Sequence, residues 1–456
     1  MNSERHAILV AGLAFGDEGK GKIVDHLTRT NDVHTIVRYN GSSQAAHNVV
    51  TDDGRHHTFA QIGSGSFVPG VRTHLSRFML VNPVAFLPEA QHLVGLGVTD
   101  IFSRVTVDRD ALVTTPFQIA MNRLRELSRG KDRHGSCGLG VYETFKDNLD
   151  HGDAMMFVRD LENPTVMERK LRFIQELKLA QAMKLPGISA EDPYARKLLD
   201  ILSDPWEIGH CADWFNRFIR GVTPVDGNYL TEILAREGTT VFEGAQGVLL
   251  DECGFFPYST PTKITFANAE RLLAESHFRG DTTRLGVMRS YFTRHGAGPL
   301  VTEADLGNGF DEPHNRPDAW QQDFRLGHLD LVALRYSLEV LGGVDEIALT
   351  HLDRIGGSNL ECTSYTAPTA PDASLFDAEG RKITAIKSET EPDLERQERV
   401  TRTVQTVRPV LKPLPADAGS FIEHLENELG TPITVCSTGP STGAAFERPK
   451  SRKEAA

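Results

Sequence analysis

Residues 7–28 read AILVAGLAFGDEGKGKIVDHLT and join a short apolar run, a glycine-rich turn and a helical pattern. The apolar run Ala7–Ala14 predicts a buried strand, and Gly19–Thr28 predicts the helix that follows it. Between them, residues 16–22 have the G-x-x-x-x-G-K spacing of a phosphate-binding loop. Because such a loop requires a strand before it and a helix after it, the stretch predicts an α/β fold with an anion site.

Two features of this loop are unusual for a phosphate site. The motif normally ends in Ser or Thr, whose hydroxyl helps to hold Mg²⁺, but Ile23 stands at that place. Two acidic residues, Asp17 and Glu18, also lie inside a loop that should bind an anion. Asp often caps a helix, so Asp17 alone has a purely structural explanation as well.

Other apolar runs end in polar or glycine-rich turns in the same way. They are His34–Gly41, Arg77–Pro83, Thr239–Gly247, Val344–Asp353 and Pro432–Pro440. With helical patterns between them, these runs predict an α/β fold with a large, mainly parallel sheet and flanking helices. Ligands bind at the carboxyl ends of the strands in such sheets, and most of the unusual motifs lie there.

The chain is expected to form one large α/β domain over residues 1–445. Charged and apolar residues at helical spacing predict a helical insertion at about residues 155–235. A stretch rich in Pro, Ser, Asp and Glu predicts a surface insertion at about residues 366–396. Residues 446–456 are polar and are expected to form a frayed tail.

Composition argues against several classes of protein. A formal net charge of −13 over 456 residues gives no general attraction to nucleic acid or to an anionic membrane. No apolar run approaches the ~20 residues needed to span a bilayer, and the N-terminus lacks a signal-peptide pattern. The five cysteines are widely spaced and form no zinc motif. These features indicate a reduced, cytoplasmic protein.

Six motifs, taken together and in order, resemble those of the adenylosuccinate synthetase family. They are GDEGKGKIVD (16–25), FEGAQGVLLD (242–251), TRHGAGPLVTE (293–303), GHLDLVALR (327–335), LTHLD (349–353) and STGP (437–440). A lone phosphate loop is weak evidence, but six ordered motifs that extend along nearly the whole chain are strong evidence. The resemblance implies the phosphate-loop fold of that family. It also implies a ligase that joins L-aspartate to C6 of IMP with GTP and Mg²⁺.

The resemblance also implies roles for individual residues. The γ-phosphoryl group of GTP would go to the 6-oxygen of IMP, making a leaving group that the amine of aspartate displaces. Asp17 would remove the N1 proton and bind Mg²⁺ together with the carbonyl of Ala46. The metal would offset the repulsion between this carboxylate and phosphate. Lys20 would contact the transferred phosphoryl group, His47 would donate to the 6-oxygen, and Gln246 would hold the purine.

The remaining candidate residues follow from the same resemblance. Those expected at GTP are Gly16, Glu18, Gly19, Gly21, Lys22, His351, Asp353, Ser437, Thr438 and Gly439. Those expected at the other substrates are Gln44, Ser136, Thr260, His295 and Arg325. Asp353 would accept from N1–H and N2–H₂ of guanine and so select GTP over ATP. The family also implies a homodimer.

The chain departs from the family mainly where the substrates would bind. The family's N-A-G-H-T reads QAAHN at residues 44–48, and its Thr-Thr-Gly phosphate segment reads SCG at residues 136–138. The Arg that reaches the partner's IMP has no counterpart in residues 145–153. The amino-acid loop T-T-G-R-x-R-R reads DAWQQDFR, which leaves Arg325 with Arg316 upstream. Lys of T-K-x-D is replaced by His351.

These departures leave two alternatives open. The first is a ligase of the same fold that uses another purine nucleotide or another amine donor. The second is a GTP-binding protein that does not catalyse ligation, although the retained Asp17, Lys20 and His47 argue against it. Plain structural roles also exist for single residues: Gln246 could satisfy backbone groups, and Arg325 could form a surface ion pair.

Overall fold

The computed structural model describes residues 5–130, 133, 135–189, 191–307, 310, 320, 323–356, 359–389 and 393–449. Its strands are β1 (Arg5–Gly12), β2 (Val33–Arg38), β3 (His47–Val50), β4 (His56–Phe59), β5 (Arg72–Leu75), β6 (Leu80–Val81), β7 (Val105–Asp108), β8 (Leu112–Val113), β9 (Thr223–Val225), β10 (Gly238–Gly247), β11 (Asp281–Arg289), β12 (Phe292–His295), β13 (Phe324–Gly327), β14 (Leu329–Asp330), β15 (Glu346–Thr350), β16 (Leu360–Thr366), β17 (Phe376–Glu379), β18 (Lys382–Ile386), β19 (Arg408–Pro413), β20 (Ile433–Ser437) and β21 (Ala445–Glu447). Its α-helices are α1 (Lys20–Thr30), α2 (Pro83–Gly95), α3 (Pro116–Arg129), α4 (Val141–His151), α5 (Pro164–Ala182), α6 (Pro193–Ser203), α7 (Trp206–Gly221), α8 (Tyr229–Leu234), α9 (Ala267–Glu275), α10 (Leu331–Val340), α11 (Leu394–Val404) and α12 (Ala418–Leu429).

The central sheet confirms the predicted fold class. Among the described residues it has ten strands in the order β21-β20-β15-β11-β1-β10-β2-β5-β7-β9. All neighbouring pairs are parallel except β20 and the edge strand β21. Strand β1 lies in the middle, and its residues from Ala7 to Gly12 are buried, as expected for a parallel strand covered on both faces.

The register of the sheet brings the motifs to one edge. Gly12 at the end of β1 pairs with Gly247 of β10 and with Val287 of β11. Arg289 at the end of β11 pairs with Thr350 at the end of β15. Because these strands are parallel, the segments that follow them leave the sheet on the same side.

Most of the predicted strands are present, but one is much reduced. The run Arg77–Pro83 contains only the two-residue strand β6, which pairs with β8 outside the central sheet. Pro83 begins α2, with Asn82 as its N-cap, and this ends the extended segment early. Strand β5, which the apolar pattern did not predict, takes the place beside β2.

The region predicted as a helical insertion contains α5, α6, α7 and α8. Helix α5 begins with Asn163 as N-cap and Pro164 in its first turn, a combination that satisfies exposed backbone N–H groups. Its buried face joins an apolar cluster with α2, α3, α6 and α7. Phe86 of α2 and Phe218 of α7 meet edge to face with centroids 5.1 Å apart.

The stretch predicted as a surface insertion is partly a hairpin. Strands β17 and β18 within residues 366–396 pair with each other, and β18 also pairs with β16. Phe376, Ile383 and Ile386 are buried in the same apolar cluster as the central strands. Alternating apolar residues, rather than the abundant charges, therefore decide the structure of this stretch.

No described helix is both long and apolar enough to cross a bilayer.

Candidate active site

The phosphate loop turns sharply between β1 and α1. Gly16 and Gly19 have φ angles of 98° and 91°, in the left-handed region that favours glycine. Gly21 is needed for another reason, since a Cβ there would lie 2.7 Å from the Cβ of His47. The glycines therefore shape the turn and let His47, at the start of β3, pack directly on the helix start.

Glu18 turns into the protein instead of facing the phosphate site. Its carboxylate accepts from the backbone N–H of Ala14 at 3.0 Å and of Gly16 at 2.8 Å, and from Lys20 Nζ at 2.6 Å. Both Glu18 and Lys20 are almost fully buried. One of the two acids inside the loop is thus bound to protein groups, and Asp17 is the acid that lines the cavity.

A cavity of about 920 Å³ opens at the carboxyl ends of the central strands, a size typical of a ligand site. Seventeen of the twenty predicted site residues line it: Gly16, Asp17, Gly19, Lys20, Gly21, Lys22, Gln44, Ala46, His47, Ser136, Gln246, Thr260, His295, His351, Asp353, Ser437 and Gly439. Glu18, Thr438 and Arg325 do not line it. Residues from distant parts of the chain are therefore brought together, as the motifs predicted.

Backbone strain is concentrated at this cavity. Asp17, Gln246 and His351 line it and have φ angles of 59°, 67° and 61°. Non-glycine residues rarely adopt such angles, and where they do, the strain usually serves a site. Gln246 is the next-to-last residue of β10, His351 directly follows β15, and Asp17 lies in the loop after β1.

Several buried polar atoms of the cavity have no hydrogen-bond partner among the described residues. They are both amide atoms of Gln44, Oε1 of Gln246 and Nδ1 of His295. Buried polar atoms in folded proteins are nearly always hydrogen-bonded, and leaving one unsatisfied costs about 1–3 kcal/mol. These atoms therefore mark places where a polar ligand would bind.

His47 is held by a buried carboxylate from the EGAQG motif. Its Nδ1 lies 2.6 Å from Oε1 of Glu243, and the backbone N–H of Ser64 donates to Oε2 at 2.9 Å. Burial opposes the charge of Glu243, but Arg38, His47 and Ser64 outweigh it and lower its pKa to about 2. Glu243 therefore orients the His47 ring, with Nε2 left for a ligand.

The end of the cavity predicted to bind guanine is tied to the phosphate loop. Lys22 Nζ donates to Ser437 Oγ at 2.6 Å and to the carbonyl of Gly439, and burial lowers its pKa to about 8. Thr350 Oγ1 donates to the carbonyl of Glu18 at 2.7 Å. The STGP and THLD segments are therefore held in place by the same loop that would bind phosphate.

Arg325, predicted at the amino-acid substrate, is occupied by protein groups. It donates to the carbonyls of Gly296 at 2.7 Å and Gly298 at 2.8 Å, and it pairs with Glu303 at 2.7 Å. Its guanidinium thus braces the GAGP turn from outside the cavity. Arg316 and half of the segment DAWQQDFR, residues 318, 319, 321 and 322, lie outside the described residues.

Five arginines for which the sequence predicted no role line the cavity: Arg125, Arg129, Arg289, Arg294 and Arg354. The last three lie next to motif residues or within a motif. Arg289 donates to the backbone carbonyl of Asp17, and Nε of Arg354 lies 3.3 Å from the carboxylate of Asp353. Arg294 is stacked on Phe15, and burial lowers its pKa to about 9. Their position beside motif residues was the available signal, but their partners come from other segments.

A metal at this site would take most of its ligands from bound substrates. No group of three or more His, Cys, Asp or Glu side chains among the described residues could hold a metal by itself. The protein offers the Asp17 carboxylate, with the Ala46 carbonyl at the same cavity wall. Mg²⁺ is commonly bound by one or two protein oxygens together with substrate phosphates and water, so this donor set fits it.

Comparisons with known proteins identify the family. A family model described as adenylosuccinate synthetase matches residues 9–446. Adenylosuccinate synthetase from Chlorobium limicola is 29% identical, with 96% of each chain covered, and that from Salinibacter ruber is 31% identical, with 95% of this chain and 96% of that one covered.

Two solved structures share the fold. Fully ligated adenylosuccinate synthetase from Plasmodium falciparum matches with a TM-score of 0.72 at 20% identity, covering 97% of this chain and 99% of that one. The succinoaminodeoxyadenylate synthetase of cyanophage S-2L, bound to dGMP and dATP, matches with a TM-score of 0.59 at 14% identity, covering 98% and 96%. From the family match over nearly its whole length, the chain belongs to the adenylosuccinate synthetase family.

Proposed function

We propose that the protein joins L-aspartate to C6 of IMP at the expense of GTP, forming adenylosuccinate in purine nucleotide biosynthesis. The observation that carries the proposal is that Asp17, Lys20, His47 and Gln246 line the same cavity. A protein that only bound GTP would have little use for a carboxylate and a carboxylate-held histidine beside the phosphate loop.

In the first step, the Asp17 carboxylate would take the N1 proton of IMP. The 6-oxygen then attacks the γ-phosphorus of GTP, a P–O bond forms, and the bond to the departing GDP breaks. Lys20 and the backbone N–H groups at the start of α1 lie where the charge of the transferred phosphoryl group would develop. His47, held by Glu243, would face the 6-oxygen.

Mg²⁺ is part of the proposal, with Asp17 and the Ala46 carbonyl as its protein ligands. When bound, it would supply positive charge that neutralises the phosphates next to the Asp17 carboxylate. The negative charge of the buried Glu18 is compensated by Lys20 inside the protein, so Glu18 adds little repulsion toward the phosphates.

The nucleotide and substrate residues are assigned by the same proposal. Asp353 would accept from N1–H and N2–H₂ of guanine, with His351, Ser437 and Gly439 around the base. Gln246 and Gln44 would use their unsatisfied amide atoms on IMP. Ser136 and Thr260 would donate to its phosphate and ribose.

We also propose a homodimer. Helix α4 exposes Tyr142 and Leu149, whose side chains are 49% and 66% accessible and stand seven residues apart on one helical face. Tyr142 also lines the cavity, so a partner that covered α4 would approach the substrate site. Leu149→Glu should weaken the dimer in sedimentation-velocity experiments, whereas an unchanged mass would contradict this assignment.

The test of the reaction is GDP release by the purified protein with Mg²⁺ and GTP. Release should require IMP and aspartate together, and mass spectrometry should identify adenylosuccinate. Incubations with IMP alone and with aspartate alone are the controls. No release with the complete mixture would reject the proposed substrates.

A further inference from the structure

The side chain of His295 contacts Asp17, the proposed catalytic base. His295 is the last residue of β12, and its Nε2 lies 3.3 Å from Oδ2 of Asp17. Its ring packs on Phe324, directly opposite in β13, with centroids 4.7 Å apart. Each of the two polar side chains is 19% exposed, so the contact lies at the cavity wall and not in bulk solvent.

This contact fixes how a neutral His295 ring can bond on its other side. An ionised carboxylate only accepts hydrogen bonds, so a neutral ring that donates to it carries its proton on Nε2 and a lone pair on Nδ1. Nδ1 is buried and has no hydrogen-bond partner among the described residues. Since a buried acceptor is normally satisfied, this lone pair is available to a donor on a bound molecule.

The chemistry of the reaction identifies that donor, and this step rests on the proposed function. Asp17 marks the N1 edge of the purine, and C6 is bonded to N1. The attacking amine approaches C6 and therefore enters the space beside Asp17 and His295. The ribose is attached at N9, on the opposite ring of the purine, and its hydroxyls are farther from the Asp17 carboxylate.

We propose that Nδ1 of His295 accepts a hydrogen bond from the amine of the amino-acid substrate and aims its nitrogen at C6, while Nε2–H holds Asp17. In the step that this serves, the C6–N bond forms and the C6–O6 bond breaks. Phosphate leaves with the bonding electrons and carries away the proton that the amine nitrogen gives up. Orientation of the two reacting atoms lowers the barrier without any proton transfer to His295. His295 is then a positioning residue for both halves of the reaction.

Two substitutions separate these two contacts. His295→Gln places an amide near Nε2, where it can still donate to Asp17, and leaves no acceptor at Nδ1. His295→Asn places an amide oxygen near Nδ1 but cannot reach Asp17. The first half-reaction is followed by positional isotope exchange in bridge-labelled GTP with IMP and no aspartate. The complete reaction is followed through kcat and KM for aspartate.

H295Q should lower kcat/KM for aspartate about fivefold to tenfold, the effect of one lost hydrogen bond, and should slow isotope exchange less than about twofold. H295N should show the reverse order of effects. H210Q and H210N, at an exposed histidine that does not line the cavity, serve as matched controls for folding and handling.

Equal effects of both variants on both measurements would overturn the inference in favour of a structural role. Unchanged kinetics in both would overturn it as well. If H295Q instead abolished discrimination between IMP and 2′-deoxy-IMP, the acceptor would serve a ribose hydroxyl and the amine assignment would be wrong. Absence of adenylosuccinate with the unaltered enzyme would reject the proposed function itself, which is a different result from any of these.

Discussion

The two ends of the cavity are built in different ways. The phosphate end, formed by residues 15–22 with His47 and Gln246, turns a predicted lysine and a predicted histidine toward the cavity. The amino-acid end, formed by β12, β13 and the turn 296–298, uses its predicted Arg325 on its own backbone carbonyls. A charged residue in a motif can therefore face the cavity at one end and stabilise the fold at the other.

The difference has a physical origin. Lys20 lies at the start of a helix whose backbone already points at the cavity, and a neighbouring Glu18 compensates its charge from below. Arg325 lies on a short antiparallel pair beside a turn whose carbonyls have no strand partner, and a guanidinium fork satisfies them well. The local backbone, and not the residue type, decides what each cation contacts.

The largest effect is expected at the phosphate end. Asp17→Asn keeps the size of the side chain but removes the base, so turnover should fall by about 10³-fold or more. Positional isotope exchange, which moves the label from the β–γ bridge of GTP to non-bridging positions, should fall in parallel because the first half-reaction is lost. An unchanged melting temperature would show that the fold is intact. Turnover within tenfold of the parent would remove Asp17 from the role of base.

Glu243→Gln tests the support beneath the phosphate end. The carboxylate that holds His47 is lost, and the ring is then free to turn away from the 6-oxygen, so kcat should fall by about 100-fold. KM for aspartate should change little, since Glu243 lies beneath His47 and away from β13. Ser64→Ala removes one side-chain hydrogen bond to the same carboxylate. Comparing its kcat with that of Glu243→Gln would show how much of the loss comes from this one bond.

Asp353→Asn tests whether this residue recognises the guanine of GTP. An amide cannot accept from both N1–H and N2–H₂ as a carboxylate does, so kcat/KM for GTP should fall by about 30-fold. The preference for GTP over ATP should shrink accordingly. Initial rates with both nucleotides at fixed IMP and aspartate measure this. An unaltered preference would assign base selection to other residues, with Arg354 the nearest candidate.

Arg325→Lys tests whether the amino-acid end depends on its internal braces. Lysine cannot reproduce the forked bonds to Gly296 and Gly298, so the free energy of unfolding should fall by about 1–2 kcal/mol. KM for aspartate should rise while KM for GTP stays within about twofold. If stability were unchanged and aspartate binding were lost, Arg325 would contact the substrate directly.

The smallest effect on turnover is expected at His74, which lies away from both ends of the cavity and tests the pH dependence of stability instead. Burial lowers the pKa of His74, in β5, to about 4. The unfolded chain therefore binds more protons as the pH falls through 6.5, and stability should fall by about 2 kcal/mol between pH 7 and pH 5. His74→Gln should flatten this slope in urea titrations at the two pH values. An equal slope would assign the acid sensitivity to other groups.

Much of the fold could be predicted from local patterns. The run before Gly16 and the helix after Gly19 appear within two residues of their predicted bounds. Residues 366–396 were harder, because their many charges suggested an exposed loop while Phe376, Ile383 and Ile386 fill the core. Strand β6 was overestimated because an N-cap and a proline stop the extended run.

The candidate site was predictable as a set of residues but not as a set of contacts. The inward turn of Glu18 and the occupation of Arg325 both depend on backbone groups that no motif specifies. Glu243 lies within a motif, but the motif predicts no role for it, because its partner His47 is 196 residues away in sequence.

The sequence by itself determined the phosphate loop, the order of the motifs and hence the family, because glycine angles and helix starts are short-range requirements of the backbone. Only the tertiary structure decided which charges face the cavity and which are buried against protein partners. The contact between His295 and Asp17 is an example, since His295 ends β12 and Asp17 lies in the loop after β1. Such choices depend on the cost of burying a polar group without a partner, and packing alone sets where a partner is within reach.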